Sequence, residues 1–471
     1  MPESPIPASP DGDGIAFDVL PLAPAALENL RRLGYQRMTP IQAASLPLAL
    51  AGHDLIAQAK TGSGKTAAFG LPLLARLDAR RFDVQALVLC PTRELAMQVA
   101  QEIRRLARSE DNVKVLTLCG GATMRPQIAS LEHGAHVVVG TPGRIVDHLT
   151  RGTLSLQALA TLVLDEADRM LDMGFAEPLA FVIDRCPAQR QTLMFSATYP
   201  PGVTRLAQRF LREPRHVRLS ERHPDTKIRQ RFYEVDKDQR LQAVGLLLDH
   251  YRPASTIAFC NTRQRCSELA ALLREQGIVA LELHGELEQR DRDQVLVQFA
   301  NGSCSVLVAT DVAARGLDIA GLEAVINVDV TPDAEVHTHR VGRTGRVDEA
   351  GWAFSLASRN EMDRVARIDK MQGGEIRWHG LDELTPSADR KPLRPPMVTL
   401  QILGGRKDKI RPGDVLGALT KDLGFRSEQV GKIDVNEFST YVALKPEIAD
   451  DALRGLSAGK VKGKAVKVRR V

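Results

Sequence analysis

Two short segments carry residues whose types and spacing suit nucleotide chemistry. The first, Ala59-Lys60-Thr61-Gly62-Ser63-Gly64-Lys65-Thr66, is a glycine-rich turn that runs into a helical pattern. Backbone N–H groups around Gly62 and Gly64 can wrap phosphate oxygens, Lys65 can reach the outer phosphates, and Thr66 can help hold Mg²⁺. About a hundred residues later the apolar run Thr161 to Leu164 ends in Asp165-Glu166-Ala167-Asp168. There Asp165 is placed to join the magnesium shell and Glu166 to orient or deprotonate an attacking water. A phosphate cradle alone only binds; joined to these carboxylates it points to hydrolysis of ATP or GTP. Each segment alone has a plain structural reading, a turn or a solvated acidic loop, and their order and strand contexts weigh against it. The generic phosphate loop opens with Gly, and this one opens with Ala59.

The elements that must position these groups follow from periodicity. Residues 1–16 hold too little apolar surface to fold and read as a flexible N-terminal segment. From 17 to 218, apolar runs such as Ala86 to Cys90, Val113 to Cys119 and Ala135 to Val139 alternate with helical patterns, which predicts a parallel sheet covered by helices. A polar linker at 219–228 separates this domain from a second of the same kind at 229–380, with runs at Ser255 to Cys260, Ser305 to Ala309 and Ala324 to Val328. The second has no glycine-rich phosphate turn. It carries His339-Arg340-Val341-Gly342-Arg343-Thr344-Gly345-Arg346 instead, with Arg343 and Arg346 spaced to present guanidinium groups to a phosphoryl group held elsewhere, so the expectation is a site split between two domains. A contact to a nucleic-acid backbone is the other reading of those cations.

At 471 residues the chain has room for about three domains. The net charge of +5 is uneven: residues 397–471 hold 15 Lys and Arg against 9 Asp and Glu, a surplus of six that is as large as the excess of the whole chain. A basic terminal domain on a near-neutral ATPase predicts a polyanionic partner, most simply nucleic acid. The six cysteines are scattered without metal-ligand spacing and read as structural thiols. No run is long enough to span a bilayer and the N-terminus lacks a signal pattern, so the expectation is a cytoplasmic protein.

With these pieces placed, the chain resembles the DEAD-box ATP-dependent RNA helicases over nearly all of residues 17–360, and Asp165-Glu166-Ala167-Asp168 is that family's namesake. The resemblance implies two tandem RecA-like α/β domains, RNA-stimulated hydrolysis of ATP with Mg²⁺, and local unwinding of short RNA duplexes. Gly34 to Gln42 resembles the adenine-reading element, with Gln42 on the adenine edge and Phe17 stacked on its face; Ala59 is the family's usual opening residue. Pro91-Thr92-Arg93, Gly120-Gly121 and Thr141-Pro142-Gly143-Arg144 are implied to touch the RNA backbone from the first domain, and Gln289, Arg292 and Thr310 from the second. Ser196 and Thr198, with Asp168 and His339, are implied to couple nucleotide state to RNA grip. Gly316 and Asp318 are implied to contact ATP, Asp318 at the ribose, and Arg343 and Arg346 to be the arginine fingers.

Beyond a Pro-rich linker at 381–396, the segment 397–471 reads βαββαβ, an α+β sandwich of the RNA-recognition-motif type. It is similar to the C-terminal domain of DbpA-type helicases at Gly404 to Leu419 and Gly431 to Ile433. That similarity implies binding to a 23S ribosomal RNA hairpin near the peptidyl-transferase centre on the preribosomal large subunit, during 50S assembly. No aromatic base-stacking strand of the usual form is present, and Arg406, Lys407, Lys409, Arg411 and Lys432 are the candidate contacts, with Arg469 and Arg470 as nonspecific ones. A general helicase of messenger RNA turnover and an ATP-gated RNA clamp remain open at this stage.

Overall fold

The computed structural model describes residues 14–59, 63–218, 228–314, 322–345, 351–374, 376–385 and 393–471. These fall into two compact units, residues 14–218 in one and those from 228 onward in the other. Residues 1–13 and most of the 219–228 linker lie outside the described residues.

The first unit is built on seven strands, β1 Leu55–Gln58, β2 Ala86–Leu89, β3 Val115–Leu118, β4 Val137–Gly140, β5 Thr161–Leu164, β6 Gln191–Ser196 and β7 Arg215–Arg218. All pair in parallel, in the order β3-β4-β2-β5-β6-β1-β7. Strand side chains alternate between faces, and both faces are apolar. Leu55, Val88, Val163 and Phe195 feed one core cluster, while Ile56, Leu87, Leu162 and Met194 feed the other. A sheet buried on both sides needs helices on both sides, which the intervening helical segments supply.

The second unit opens with β8 Ile228–Glu234, β9 Thr256–Cys260, β10 Ala280–Leu283, β11 Val306–Thr310, β12 Ala324–Asn327, β13 Gly351–Ala357 and β14 Trp378–His379. They too are all parallel, in the order β10-β11-β9-β12-β13-β8-β14. This is the first sheet's order repeated strand for strand. Leu381 and Leu384, expected in the connector, instead pack on this sheet's core with Leu393; apolar side chains on a short 3-10 turn gain more from that burial than from serving as a tether.

The same unit ends in a four-stranded antiparallel sheet of β15 Val398–Leu403, β16 Val430–Val435, β17 Thr440–Leu444 and β18 Lys467–Arg470, ordered β16-β17-β15-β18. Helices Pro412–Gly417 and Pro446–Ala458 cover one face, closing a core of Leu400, Ile402, Val415, Val442, Ala452 and Leu456. The fold is therefore α/β with two parallel seven-stranded sheets followed by a small α+β domain, as expected.

Candidate nucleotide and RNA sites

In a parallel sheet the loops leaving the carboxyl ends of the strands share one edge, and ligands bind there. The order of the first sheet splits that edge into two neighbouring regions. Over β5, β6 and β1 stand the acidic tetrad, the Ser196-Ala197-Thr198 turn and the phosphate loop; over β3, β4 and β2 stand Gly120-Gly121, Thr141 to Arg144 and Pro91 to Arg93.

The nucleotide region is held in readiness by unsatisfied charge. Lys65 begins the helix Lys65–Ala75 and Asp165 follows β5 directly; Lys65 Nζ and Asp165 Oδ1 lie 3.9 Å apart, 7% and 4% exposed. Neither atom has a hydrogen-bond partner among the described residues. Burial pushes the Asp165 carboxyl up to about 6, with Lys65 pulling the other way. A buried ammonium and a buried carboxylate oxygen left without partners are costly unless a ligand completes them. Phosphate oxygens suit the first and a hard cation suits the second, so Lys65, Asp165 and the neighbouring Thr66 fit a metal-bound nucleoside phosphate.

The loop itself is braced by the adenine-reading element. Gly64 sits at φ +91° as the residue before the helix, and a Cβ there would fall 2.5 Å from Gln42 Nε2, so only glycine fits. Gln42 donates to Gly64 O (3.0 Å) while accepting from Thr39 N (2.9 Å), and Thr39 Oγ1 donates to Ser63 O (2.8 Å). Phe17 lies edge-on to Tyr35 in a cluster with Leu20, Leu30, Met38 and Leu46 and is 4% exposed.

Two further acids of the tetrad have separate tasks. Glu166 takes a left-handed φ of +53°, and its Oε2 accepts from Arg169 Nη1 at 3.0 Å, a partner the sequence reading did not single out. Asp168 joins the end of β5 to the end of β6. Its Oδ2 accepts from Ala197 N (3.1 Å), Thr198 N (2.8 Å) and Thr198 Oγ1 (2.8 Å). Its backbone N–H donates to Ser196 Oγ at 3.3 Å, and Ser196 Oγ donates to Thr198 O at 2.6 Å. Burial alone would push the Asp168 carboxyl up, but the Thr198 backbone and hydroxyl hydrogen bonds outweigh it and hold the group below its ordinary value. The last acid of the tetrad and the turn after β6 are thus one hydrogen-bonded assembly.

In the neighbouring region, Thr92 caps the helix Arg93–Leu106 by accepting from Leu95 N at 3.3 Å, and Arg93 Nη1 donates to Gly120 O at 3.3 Å. Arg144 donates to Ala122 O (3.1 and 3.0 Å) and Gln127 Oε1 (2.9 Å). Both arginines therefore tie the three strand ends together. A Cβ on Gly120 or Gly143 would meet nothing within 4 Å. Packing does not demand glycine there.

The second sheet's edge is arranged differently. Arg340, not among the candidate residues, is 2% exposed and holds the edge together. Its Nε and Nη2 grip Asp311 at 2.6 Å each, Nη1 donates to Asp329 O at 2.7 Å, and Nη2 donates to Asn261 Oδ1 at 3.0 Å. The helix Ala334–Val341 that leads to Arg343 is anchored this way, and His339 lies on it. Arg343 is 5% exposed. Gly345, at φ +69°, has no room for a Cβ, which would lie 2.3 Å from Ile228. Gln289 Nε2 donates to Asp293 at 2.8 Å and Arg292 Nη1 to His284 O at 3.4 Å, while Thr310 ends β11. Thr262 caps the helix Arg263–Glu275 by accepting from Arg265 N at 3.3 Å, as Thr92 caps its counterpart. The repeated Cys90-Pro91-Thr92-Arg93 and Cys260-Asn261-Thr262-Arg263 was the available signal for this position. Lys60, Thr61, Gly62, Gly316, Asp318 and Arg346 lie outside the described residues.

On the C-terminal domain Arg406, Lys407, Lys409, Arg411 and Lys432 are all exposed. Lys407 pairs with Glu437 at 2.8 Å and Lys432 with Asp434 at 3.0 Å. Residues 406–409 run along the hairpin tip that bears Phe438, with Arg406 N donating to Asn436 O (2.8 Å) and Lys407 N to Glu437 O (3.1 Å). Phe438 is 64% exposed, and Lys407 Nζ lies 4.6 Å from its ring centre.

Known proteins align with this architecture piece by piece. Residues 39–206 match the DEAD/DEAH box helicase family and 236–348 the helicase conserved C-terminal domain. The solved structure of Saccharomyces cerevisiae Dbp5 bound to RNA and ADP BeF3 superposes with a TM-score of 0.72 at 30% identity, covering 78% of this chain and 96% of that one. The DEAD-box ATP-dependent RNA helicase CshA of Geobacillus kaustophilus is 43% identical over 355 residues, 75% of this chain and 76% of CshA. Residues 399–470 match the DbpA RNA binding domain. The ATP-dependent RNA helicase DbpA of Escherichia coli strain K12 is 52% identical over 455 residues, 96% of this chain and 98% of that protein. The chain belongs to the DEAD-box ATP-dependent RNA helicases, and within them to the DbpA type that ends in a dedicated RNA-binding domain. It is an ATPase that acts on RNA. Among the described residues no helix is long and apolar enough to cross a membrane.

Proposed function

We propose that this helicase unwinds short duplexes locally in large-subunit ribosomal RNA during 50S assembly in the cytoplasm. Its C-terminal domain directs it to a 23S hairpin near the peptidyl-transferase centre. The observation that carries the targeting role is the exposed basic stretch of that domain from Arg406 to Arg411, where Lys407 Nζ lies 4.6 Å from the centre of the exposed Phe438 ring. Cations beside an exposed aromatic offer phosphate contacts and a stacking surface for an unpaired base.

Hydrolysis is assigned to residues as follows. Lys65, with the loop from Ala59 to Thr66, binds the phosphates; Asp165 and Thr66 hold Mg²⁺, which screens the phosphate charge when bound; Glu166 orients water. Gln42 and Phe17 recognise adenine, and Asp318 and Gly316 the rest of the nucleotide. Arg343 and Arg346 neutralise charge on the transferring phosphoryl group. Asp168, Ser196, Thr198 and His339 pass the nucleotide state to the RNA contacts. Those contacts are the Pro91–Arg93, Gly120-Gly121 and Thr141–Arg144 segments with Gln289, Arg292 and Thr310. They address backbone more than base edges, so the core is indifferent to sequence and the C-terminal domain supplies selectivity.

The test is RNA-stimulated ATPase activity at fixed salt, comparing the peptidyl-transferase-centre hairpin with an unrelated hairpin of equal length. It is run on the full chain and on a variant combining Arg406→Glu, Lys409→Glu and Arg411→Glu. Preferential stimulation by the ribosomal hairpin, lost in the variant, is expected. Equal stimulation by both RNAs would remove the ribosomal assignment.

A further inference from the structure

The two central strands of the C-terminal domain's sheet, β15 and β17, are buried on both faces. One face packs on its own helices through Leu400, Ile402, Val442 and Leu444. Strand alternation turns Thr399, Gln401, Tyr441 and Ala443 to the other side. In a two-layer sandwich that side meets solvent, and it is the platform on which bases stack when such a sheet binds RNA. Here those four residues are 0, 3, 5 and 0% exposed.

The second parallel-sheet domain of the same compact unit meets this face at Thr399. The turn Asn301-Gly302-Ser303 closes the helix Gln289–Ala300, with Gly302 at φ +68° so that Gly302 N bonds Phe299 O and Ser303 N bonds Gln298 O. That turn enters the sheet face. Asn301 Nδ2 donates to Thr399 Oγ1 at 3.2 Å, Ser303 Oγ lies 2.7 Å from the same hydroxyl, and Met397 N donates to Gly302 O at 3.1 Å. Beside it Arg469 Nε donates to Gln401 Oε1 (2.6 Å), Gln401 Nε2 donates to Tyr441 Oη (2.8 Å), and Arg469 Nη2 reaches Gln294 Oε1 at 3.5 Å. Asn301 and Ser303 are themselves 5% and 7% exposed. Buried polar groups that meet their partners only across a joint specify one seating, because any slip leaves them unpaired.

We propose that this sheet face is an intrachain docking surface, the rigid joint that fixes the C-terminal domain on turn 301–303 and keeps it there while RNA is bound. Base stacking on the sheet is thereby excluded. The basic edge around Arg406 and Phe438 is carried as one body with the helix Gln289–Ala300, whose first turn bears Gln289 and Arg292. An RNA held at that edge then stands at a set distance from the contacts of the second sheet domain. This last consequence rests on the RNA reading above; the docking does not.

The experiment is a distance measurement by double electron–electron resonance on the full chain, spin-labelled at exposed Gln264 and Arg454. A single narrow distribution is expected, unchanged by a saturating RNA hairpin, and broadened by Ser303→Arg, which forces a long cation into the joint from the side of the second sheet domain. Thr399→Arg does the same from the other side, and circular dichroism of both variants confirms that strand and helix content persists. A broad distribution in the parent chain, or one that broadens or shifts with RNA, overturns the proposal. So does a distribution left narrow by both substitutions. A chain that fails to bind the hairpin in a separate titration counts against the RNA reading alone, since the parent distance distribution still tests the joint.

Discussion

The two seven-stranded sheets are the same topology used for opposite ends. In the first, the helix after β1 begins with Lys65, which faces Asp165 at the end of β5 across 3.9 Å, both atoms lacking hydrogen-bond partners among the described residues. In the second, the helix after β8 begins with Arg240, which faces Asp329 just beyond β12 at 2.9 Å and is gripped from the other side by Glu361. The positions correspond, since β8 and β12 hold the places of β1 and β5 in the strand order. One cation–carboxylate pair is left incomplete and can be finished by a nucleotide. The other is closed by a second carboxylate, although Arg240 Nε has no hydrogen-bond partner among the described residues. The fold repeats; what differs is that a second carboxylate from within the chain closes one pair and, among the described residues, none closes the other.

The comparison can be broken most severely at the second sheet's contribution to chemistry. Arg343→Ala should lower the RNA-stimulated ATPase rate by about 10³-fold or more, the usual worth of an arginine finger, while RNA affinity without nucleotide changes little. Equal losses in both would make Arg343 an RNA contact.

Next in size is the closed pair. Arg240→Ala should destabilise the second unit by about 3 to 5 kcal/mol, because Asp329 and Glu361 are left as buried carboxylates without their cation; denaturant unfolding measures it. Burial alone pushes Glu361 up, but the hydrogen bonds from Arg240 and Ser358 outweigh it and hold the carboxyl below its ordinary value. Its contribution is therefore full above the ordinary carboxylate range and lost as pH falls through and below it. Glu361→Gln should flatten that acid limb.

Lys65→Ala is the sharpening counterpart. It should weaken ATP binding by about 100-fold, worth about 2.7 kcal/mol, yet move the stability of the first unit by less than about 1 kcal/mol. The buried ammonium it removes has no hydrogen bond to lose among the described residues, and Asp165, already pushed up to about 6, can take a proton. If Lys65→Ala unfolded the first unit as Arg240→Ala does the second, the two pairs would be alike and the distinction would fall.

The open pair was legible in the sequence because its chemistry is local: the glycine turn and the acidic tetrad each declare themselves within eight residues. Both parallel sheets were legible from their apolar runs, and the βαββαβ order from alternation in the terminal segment. Arg240, Arg340 and Glu361 were not. Their partners lie far along the chain, 89 residues from Arg240 to Asp329 and 121 to Glu361, and a buried arginine looks like a surface one until the fold encloses it. The repeated Cys-x-Thr-Arg after β2 and β9 is local, and it marks Thr92 and Thr262 as equivalent helix caps. The covered sheet face of the C-terminal domain was hidden for the same reason as Arg240, since the partners of Thr399, Asn301 and Ser303, lie 98 and 96 residues away.

The smallest expected effect bears on how the first sheet transmits what its open pair binds. Asp168 has no counterpart role in the closed pair; its Oδ2 collects three donors from the turn after β6, which ties the end of the acidic tetrad to that turn. Thr198→Val keeps the side chain's shape and removes one donor, leaving the two backbone N–H groups, for a loss of about 1 kcal/mol. The Asp168 carboxyl, held low by those hydrogen bonds, should rise toward its ordinary value. Stability that Asp168 supplies above the carboxylate range is then lost at a higher pH on acidification than in the parent chain. ATP hydrolysis itself should change little, because Lys65, Asp165 and Glu166 are untouched, whereas more ATP should be consumed per duplex unwound. A ratio of hydrolysis to strand separation equal to that of the parent would mean that Asp168 only braces the turn, and that the first sheet sends its signal by another route.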